Sequence, residues 1–502
     1  MGRIKKAWNA VTGKKLTEAK MRDMVQAVYY SAASDSESMD FSFATDIGLN
    51  RALFSDLNKL RTRCRYELRQ NDVAKGMPKV YANSVVGTGP KLSVHSESNS
   101  AWADMAERAF ANWARYCDAM RPTGGSMGIQ LHLGVRQFFP VGEYFKVRRS
   151  NGKGDIKLRY LMIRPDRIKT PTSLPRDYSK AEIDQGVEVD RDGIPVAYWV
   201  LNQDPDNTPQ SGIFEYDNFR RIPASQIHHV FVQDDPIQHR GEPWMATNLP
   251  TWHKLRRYSE ATIAAAIVAA KFATVLVNNN PDVVEEAATI LPTSVLEIQD
   301  GMMMVPPPGY EPKQVQPQHP GTNASDFRHD LISSAGAANA MPATIATQDS
   351  SRASFASARF EGITLEQEGA VIRQLITDLD LNPTWYEWLA EAEAAGVIPQ
   401  RPDDVDICWL WPLEDRHTDP YKASNANRLN LETSVETVGS IQMKHGIDRS
   451  QARERLLEEV TWYRAHGLKH PLDKNMEEPD GKEEEKNKAE ENQSGNKGQS
   501  QA

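Results

Sequence analysis

Residues 227–277 read IHHVFVQDDPIQHRGEPWMATNLPTWHKLRRYSEATIAAAIVAAKFATVLV, and they say most about the fold of this chain. A β-type run at 227–232 leads through a turn-rich stretch into a helical pattern from about Pro250 to about Val277. Seven of the 13 residues from Ala261 to Ala273 are alanine, which favours a helix but buries little apolar area. Such a helix needs many similar neighbours, so the stretch predicts a subunit of an assembly.

The turn before this helix carries a pattern of spaced residues. Its members are His229, Phe231, Gln238, Arg240, Gly241, Pro243 and Trp244. The pattern resembles that of lambda-type bacteriophage portal proteins, in which it also precedes an alanine-rich helix.

Further short motifs, in the order expected for that family, extend the resemblance over about 400 residues. One departure is the sequence QDSSR before Ser354, where the family would have a Gly-Asp-containing loop. The matching segments are Arg69–Leu92, Trp113 with Cys117–Ala119, Gly142–Glu143, Arg221–Ala224, Ser354–Arg359, and Asp419–Lys422 with Ala426 and Gly446–Asp448.

The resemblance implies an α+β fold, mainly α, with the portal parts called wing, stem, clip, tunnel loop and crown. It also implies a cyclic ring of twelve subunits. The implied boundaries are an N-terminal arm at 1–50, the wing at 51–240, the first stem helix at 241–277, the clip at 278–320, the second stem helix at 321–341, the tunnel loop at 342–354, a long helix into the crown at 355–400, the crown at 401–468 and a disordered acidic tail at 469–502.

The hydrophobic pattern alone supports a similar layout. Residues 51–86 and Trp102–Met120 have helical spacing, and the second run places Trp102, Met105, Ala109 and Trp113 on one face. Alternating runs up to residue 235 predict a mostly antiparallel sheet, and Asp192-Gly193 predicts a hairpin. Two helices rich in small residues bracket a proline-rich stretch, which predicts a helix pair with a protruding tip.

Composition limits the possible partners. The net charge is −9, whereas a protein that grips nucleic acid tightly is usually basic. Three widely spaced cysteines argue against zinc and a disulfide framework, and no stretch has the length and apolar character of a membrane span. No cofactor is predicted. The sequence has no G-x-x-x-x-G-K-[ST] motif, which excludes an ATP-hydrolysing motor of that class.

Metal-dependent chemistry has one candidate region. His228, His229 and His239 lie near Asp234 and Asp235, as in some metal or nuclease sites. Adjacent residues on a strand point to opposite faces, however, so His228 and His229 would not bind one ion together.

Another isolated polar residue, Glu143, is either an acid/base group or, on the simpler interpretation, a charge at a strand edge.

The resemblance implies where DNA and partner proteins would bind. Arg352 would approach DNA phosphates or pair with Asp349. The basic residues of the first stem helix would line the channel, face a partner, or form a solvated face. The candidates are Thr347, Gln348, Ser350, Ser351 and Arg352 in the tunnel loop, Lys254, Arg256, Arg257 and Lys271 on the stem, and Met302, Met303, Met304 and Tyr310 as a clip docking surface or local core.

The resemblance therefore implies a non-enzymatic homododecamer at a capsid vertex of the virion, assembled in the bacterial cytoplasm, through which double-stranded DNA passes. Its expected partners are the terminase large subunit, the major capsid and scaffold proteins, and the head–tail connector or tail, with no membrane. Two alternatives remain open at this point: a structural adaptor without a DNA loop, and a metal-dependent nuclease or protease with a helical assembly arm.

Overall fold

The structure, a computed structural model, describes residues 47–121, 123–174, 178, 182–204, 218–270, 274–278, 310–314, 324–412, 420–444 and 449–470. The chain divides into two compact units, residues 1–55 and 56–502. Most of the predicted N-terminal arm and nearly all of the predicted acidic tail lie outside the described residues. Within the described ranges, no helix combines the length and the apolar character needed to cross a membrane.

Two helices form where the sequence predicts one helical run. They are α1 (Leu49–Gln70) and α2 (Asp72–Val86). Asn71 separates them because its extended backbone ends α1 and its side-chain oxygen accepts from the Ala74 N–H at 3.2 Å, which caps α2. α2 ends at Gly87, whose φ of 52° favours glycine.

The next elements are β1 (Lys91–His95), α3 (Ser100–Ala114) and α4 (Met127–Phe138). α3 is shorter than predicted because residues 117–119 leave the helix and hydrogen-bond along Tyr160, whose N–H donates to the Cys117 carbonyl at 2.8 Å.

The predicted buried face of α3 is corrected in one position. Met105 is 40% exposed, whereas Trp102, Ala106, Phe110 and Trp113 are buried. Spacings of three and four residues join these four positions, and Met105 lies to one side of that stripe.

Among the described residues, seven strands follow, and every pair among them is antiparallel, as the alternating sequence predicts. They form two sheets rather than one, the first from the second, third and eighth strands of the chain and the other from the fourth to the seventh. The predicted hairpin is confirmed by the pairing of Val187 with Tyr198. The strands are β2 (Glu143–Ser150), β3 (Leu158–Ile163), β4 (Glu182–Asp184), β5 (Val187–Val189), β6 (Pro195–Leu201), β7 (Phe219–Pro223) and β8 (Ile227–Phe231).

The alanine-rich helix is shorter than predicted. α5 runs from Leu249 to Ala270, and residues 274–277, predicted to be helical, belong to β9 (Thr274–Asn278). β9 pairs with β10 (Tyr310–Gln314). The difference follows from side-chain shape, because the β-branched residues of β9 favour a strand once a partner strand is present.

The second small-residue helix packs antiparallel to α5. α6 (Ala324–Ala337) places Ala335 near the start of α5, where the Asn248 side chain donates to its carbonyl at 2.8 Å. α6 was expected to reach Met341, but it ends in a turn closed by the Met341 N–H on the Gly336 carbonyl at 3.0 Å.

The remaining chain is mainly helical, as predicted. After α7 (Ala343–Thr347), α8 (Phe355–Ile376) continues through one π-helical turn, Thr377–Leu381, into α9 (Asn382–Ala394). The last elements are β11 (Asp406–Leu410), which pairs with β1, and the helices α10 (Pro420–Glu432), α11 (Val438–Lys444) and α12 (Arg449–Ala465). The α+β, mainly α fold is thereby confirmed.

An aromatic cluster joins α3 to α9 and β11. The Phe110 ring centroid lies 5.2 Å from that of Trp388, 5.5 Å from Trp385 and 5.7 Å from Trp409. Edge-to-face aromatic contacts of this kind stabilise a core beyond simple area burial. The cluster fixes α9 against the helices that precede the sheets.

We expect Phe110→Ala to lower the free energy of unfolding by about 3–5 kcal/mol, because it empties the centre of this cluster. Met105→Ala on the same helix should change it by less than about 0.5 kcal/mol. Thermal denaturation of the two variants measures the difference. Equal losses would show that the buried face of α3 has been assigned wrongly.

Candidate functional site

The segment predicted to contact DNA, residues 342–354, is not a simple loop. Its first half forms α7, which is packed on two sides. A Cβ built on Gly336 of α6 would lie 2.7 Å from the Ala346 Cβ, and the Thr344 N–H donates to Glu361 Oε2 of α8 at 3.1 Å. α7 is therefore part of the folded core between α6 and α8.

Gln348 lies where the segment leaves this core. Its backbone is left-handed, with φ of 54°. Its side-chain nitrogen lies 2.9 Å from where a Cβ on Gly76 would sit, so the amide rests against the surface of α2. A Cβ at position 76 would displace this amide, which is the flexible end of the Gln348 side chain.

The exposed tip follows at residues 349–352. The Ser351 N–H donates to Asp349 Oδ1 at 2.9 Å, and hydrogen bonding from Ser351 lowers the pKa of Asp349. Arg352 Nη2 lies 2.8 Å from Asp326 Oδ1 of α6. The ion pair considered from the sequence, Arg352 with Asp349, is thus replaced by a pair with Asp326, because the arginine turns toward α6.

The five tunnel-loop candidates therefore have different surroundings. Thr347 belongs to α7 and its hydroxyl donates to the Ala343 carbonyl at 2.7 Å. Gln348 lies against α2 and Arg352 pairs with α6. Ser350 and Ser351 are exposed. The exposed part of the segment is thus a short, polar tip with one carboxylate, Asp349, and one paired arginine, Arg352.

The four basic stem candidates are not equivalent. Lys254 and Arg257 are exposed on α5. Arg256 Nη2 lies 3.0 Å from Oε1 of the buried Glu67 of α1, so this arginine belongs to the fold rather than to a solvated or DNA-facing surface. Lys271 lies outside the described residues.

The clip docking candidates are almost entirely undescribed. Met302, Met303 and Met304 lie outside the described residues, and Tyr310 is the first residue of β10.

Glu143 is the centre of a buried ionic cluster, and the interpretation as a strand-edge charge is wrong. The side chain is fully buried, with Arg61 Nη2 and Arg240 Nη2 each 2.6 Å from Oε1. His229 Nε2 lies 3.0 Å from Oε2, and the Gly241 N–H donates to the same oxygen at 2.8 Å. One carboxylate therefore joins α1, β2, β8 and the segment before α5. Alternation along a strand could not reveal this, because the partners are remote in sequence.

Two glycines allow this cluster to form. A Cβ on Gly142 would lie 2.2 Å from the Glu242 carbonyl carbon, and a Cβ on Gly241 would lie 2.3 Å from the Gly142 carbonyl oxygen. The two backbones therefore meet at a distance that excludes any side chain. The Gly-Glu and Arg-Gly motifs noted in the sequence are two halves of one contact.

The protonation states follow from burial and charge. Burial raises the pKa of Glu143, but Arg240 and Arg61 outweigh it and hold the pKa well below its usual value. Burial lowers the pKa of Arg61 to about 10, which leaves the guanidinium charged at neutral pH. Burial also lowers the pKa of His229, so its imidazole is neutral there.

A second buried cluster lies on the other side of β8. Asp380, in the π-helical turn, accepts from Tyr144 at 2.9 Å and lies 2.5 Å from Lys146 Nζ. His228 bridges Asp380 at 3.1 Å and Glu387 of α9 at 3.3 Å. Burial lowers the pKa of His228, but hydrogen bonds with the two carboxylates outweigh it and raise the pKa.

The histidine region does not assemble as a metal site. His228 and His229 point to opposite faces of β8, as expected, and belong to separate clusters. His239 contacts Asp184 at 2.8 Å, while Asp235 accepts from the Ile237 N–H within its own turn at 3.1 Å. Among the described residues, no group of three or more His, Cys, Asp or Glu side chains is placed to hold a metal ion.

Asp380 and Lys146 were not singled out from the sequence. The one signal was an Asp-Leu-Asp run inside a helical pattern, which is also compatible with a solvated face. The ionic clusters are structural in position: they tie α8 and the start of α5 to the sheets.

We expect Glu143→Gln to lower the free energy of unfolding by about 3–5 kcal/mol, because two buried guanidinium groups lose their counter-charge. Glu432→Gln, which breaks an exposed pair with Arg428 one helical turn away, should cost only about 0.3–0.5 kcal/mol. Chemical denaturation measures both. A loss no larger for Glu143→Gln than for the control would contradict the assigned burial.

The adjacent histidines should respond to pH in opposite directions. The pKa of His229 is lower in the folded than in the unfolded state. Its contribution to the stability of the fold is therefore fully present above the unfolded pKa of 6.5 and is lost as the pH falls. The raised pKa of His228 means that its contribution is present below 6.5 and is lost as the pH rises through the folded value. His229→Asn should therefore flatten the acid side of a plot of melting temperature against pH, and His228→Asn the neutral side. The opposite pattern would reverse the assignment.

Comparison with known proteins places the chain in a family. The family model described as phage portal protein, lambda family, matches residues 36–372, which is more than half of the chain. A protein of Halomonas phage phiHAP-1 named "Probable portal protein" is 24% identical over 458 residues, covering 85% of this chain and 85% of that protein.

Solved structures also show similarity. The neck of an empty gene transfer agent particle computed with C6 symmetry matches with a TM-score of 0.43 and 13% identity, covering 78% of this chain and 94% of that chain. An HK97 family phage portal protein from Corynebacterium diphtheriae matches with a TM-score of 0.30 and 13% identity, covering 72% and 96%. On the strength of the family match, the chain belongs to the lambda family of phage portal proteins, which are structural components rather than enzymes.

Proposed function

We propose that twelve copies of this chain form a ring at one vertex of the capsid, and that double-stranded DNA enters and leaves the head through it. In this proposal α5 and α6 form the stem, residues 278–320 the clip, residues 342–354 the tunnel loop, and residues 401–468 the crown. The wing comprises residues 51–240. The ring is assembled in the cytoplasm of the host and becomes part of the virion.

The observation that carries the proposal is the unpartnered apolar surface on the helices. On α5, Ile263 is 61% exposed and Ile267 is 50% exposed, among exposed alanines. On α8, Phe360 is 70% exposed and Val371 is 67% exposed. Large apolar surface of this kind marks a protein interface. A head-to-tail contact between copies, repeated around a rotation axis, closes into a ring.

The charges at the tip suit a conduit through which DNA slides. A protein with six to ten phosphate contacts loses about 10³–10⁵ in affinity between low and moderate salt, and such a grip would resist movement. Here Arg352 is already paired with Asp326, and the remaining tip is Asp349, Ser350 and Ser351. The net charge of −9 on the whole subunit also weakens its attraction to DNA phosphates.

The partners follow from this role. The terminase large subunit docks on the clip during filling, and the head–tail connector or tail docks there afterwards. The major capsid and scaffold proteins surround the wing during assembly. Exposed Lys254 and Arg257 of α5 are available either to the channel or to these proteins.

Assembly can be tested with Ile263→Glu. Twelve copies of 56.3 kDa give about 676 kDa, so light scattering with negative-stain images distinguishes a ring from a monomer. We expect the variant to keep the melting temperature of the monomer, because Ile263 is already exposed, but to lose the large particle. Ile194→Glu, at another site that is 60% exposed, is the control and should still assemble. A wild-type chain that stays monomeric at high concentration would contradict the ring.

The tip can be tested by adding charge while leaving the packed α7 intact. We expect the triple variant Asp349→Lys, Ser350→Lys and Ser351→Lys to assemble normally but to package DNA poorly, with recovery as salt is raised. Glu458→Lys with Glu459→Lys on α12 controls for added charge. Normal packaging by the triple variant at low salt would show that these residues do not face the DNA.

A further inference from the structure

A groove beside β11 is not explained by the ring or by the conduit. It has a volume of about 640 Å³ and lies between β11, the α8–α9 segment and α11. One wall is the consecutive run Ile407–Trp411, and the opposite wall includes Gln374, Asp378 and Tyr386. Tyr386 is 53% exposed, although it is a large aromatic residue. Grooves of this volume with aromatic walls are typical of binding sites.

The strand that forms one wall has an open edge. β11 pairs with β1 on one side and has no second neighbour among the described strands. Ile407 lies opposite Val94 of β1, and the Val94 N–H donates away from β11, to Glu107 Oε1 at 2.6 Å. In an antiparallel ladder, both residues of such a pair turn their backbone polar groups outward.

The pairing of β11 with β1 therefore determines which backbone hydrogen-bond donors and acceptors lie at the open edge of β11. The backbone groups of Ile407 and, two residues on, of Trp409 face away from β1. The Ile407 N–H is satisfied locally by Asp406 Oδ1 at 2.9 Å. The Ile407 carbonyl and the N–H and carbonyl of Trp409 remain oriented toward a further strand. An extended peptide supplies the matching groups.

Charge is concentrated at the start of β11. A shallow, open surface depression just before β11 is lined by Glu97, Ser98, Pro402, Asp403 and Asp404, with no Lys or Arg among them. Hydrogen bonds from Ser98 lower the pKa of Asp404 to about 2, so this carboxylate is ionised at neutral pH. Asp406 adds a further exposed carboxylate at the first position of the strand. These carboxylates favour a peptide that carries cationic residues at one end.

We propose that β11 accepts an extended peptide of another protein as an added parallel strand, so that the N-terminal end of the peptide lies beside the acidic start of β11. The peptide would place apolar side chains of alternate residues in the aromatic groove and a Lys or Arg over the acidic corner at Asp403. This docking site is separate from the proposed channel, and it does not depend on the DNA-conduit role.

A cysteine in the groove allows peptide binding to be measured. Cys408 lies in the wall and is exposed. The other two cysteines, Cys64 and Cys117, are buried, and burial raises the pKa of each thiol to about 12. A thiol reagent therefore reacts first at Cys408, because the thiolate is the reactive form and must be accessible.

The experiment measures the rate of Cys408 alkylation by a maleimide in the full chain. The probe is the acetylated, amidated peptide Lys-Lys-Val-Thr-Trp-Thr-Val. We expect it to slow alkylation at least tenfold at saturation. An analogue that is N-methylated at alternate residues should not protect, because it cannot extend the ladder. An analogue with Glu-Glu in place of Lys-Lys should protect weakly.

Variants give the charge test a matched control. Asp403→Lys should reverse the preference, so that the Glu-Glu peptide protects better than the Lys-Lys peptide. Asp349→Lys, which changes the same kind of residue elsewhere, should leave the preference unchanged. No protection by either peptide, or equal protection by the N-methylated analogue, would overturn the proposal. Protection of Cys408 without peptide that disappears on dilution would overturn it in favour of a second copy of this chain.

Discussion

The structure depends on one buried carboxylate. Glu143 has no access to solvent, yet it is ionised, and the two arginines that neutralise it come from positions 61 and 240. Burying a charge without partners is strongly unfavourable, whereas removing one partner from a formed cluster leaves an uncompensated charge. The members of the cluster therefore stabilise the fold only when all of them are present. It specifies how α1, the three-stranded sheet and the entry to α5 are arranged, and thus the direction in which the alanine-rich helix leaves the sheets.

The second cluster acts on the opposite face of the same strand. Because His228 and His229 alternate across β8, one strand connects Glu143 on one side with Asp380 on the other. Asp380 lies in the π-helical turn between α8 and α9 and binds Lys146 of β2. α8, the helix after residues 342–354, is thus held to the same sheet that positions α5. A sheet with ionic contacts on both faces therefore supports helices whose own apolar surfaces face outward.

Sequence patterns predicted the parts of this fold that depend on local chemistry. The helix from Phe355, the hairpin at Asp192-Gly193 and the strand at 227–231 follow from spacing and turn residues, and the structure confirms them. The predictions were wrong where a partner remote in sequence determines the structure. Residues 274–277 were predicted to be helical, but they form a strand that pairs with β10. Glu143 was predicted to be a charge at a strand edge, but it is buried between Arg61 and Arg240.

The candidate site shows the same division. A polar segment at 342–354 was predictable, because proline and serine punctuate it, but the helix α7 inside it was not. The pairing of Arg352 with Asp326 was not, because the aspartate is 26 residues away on another helix. That pairing changes the electrostatic field at the tip. A free arginine repeated around a ring would attract the phosphates of DNA strongly, whereas an arginine that already faces a carboxylate contributes little net field at the distance of a Debye length. In the channel proposed for this chain, that neutrality would let DNA move without a strong hold on its phosphates.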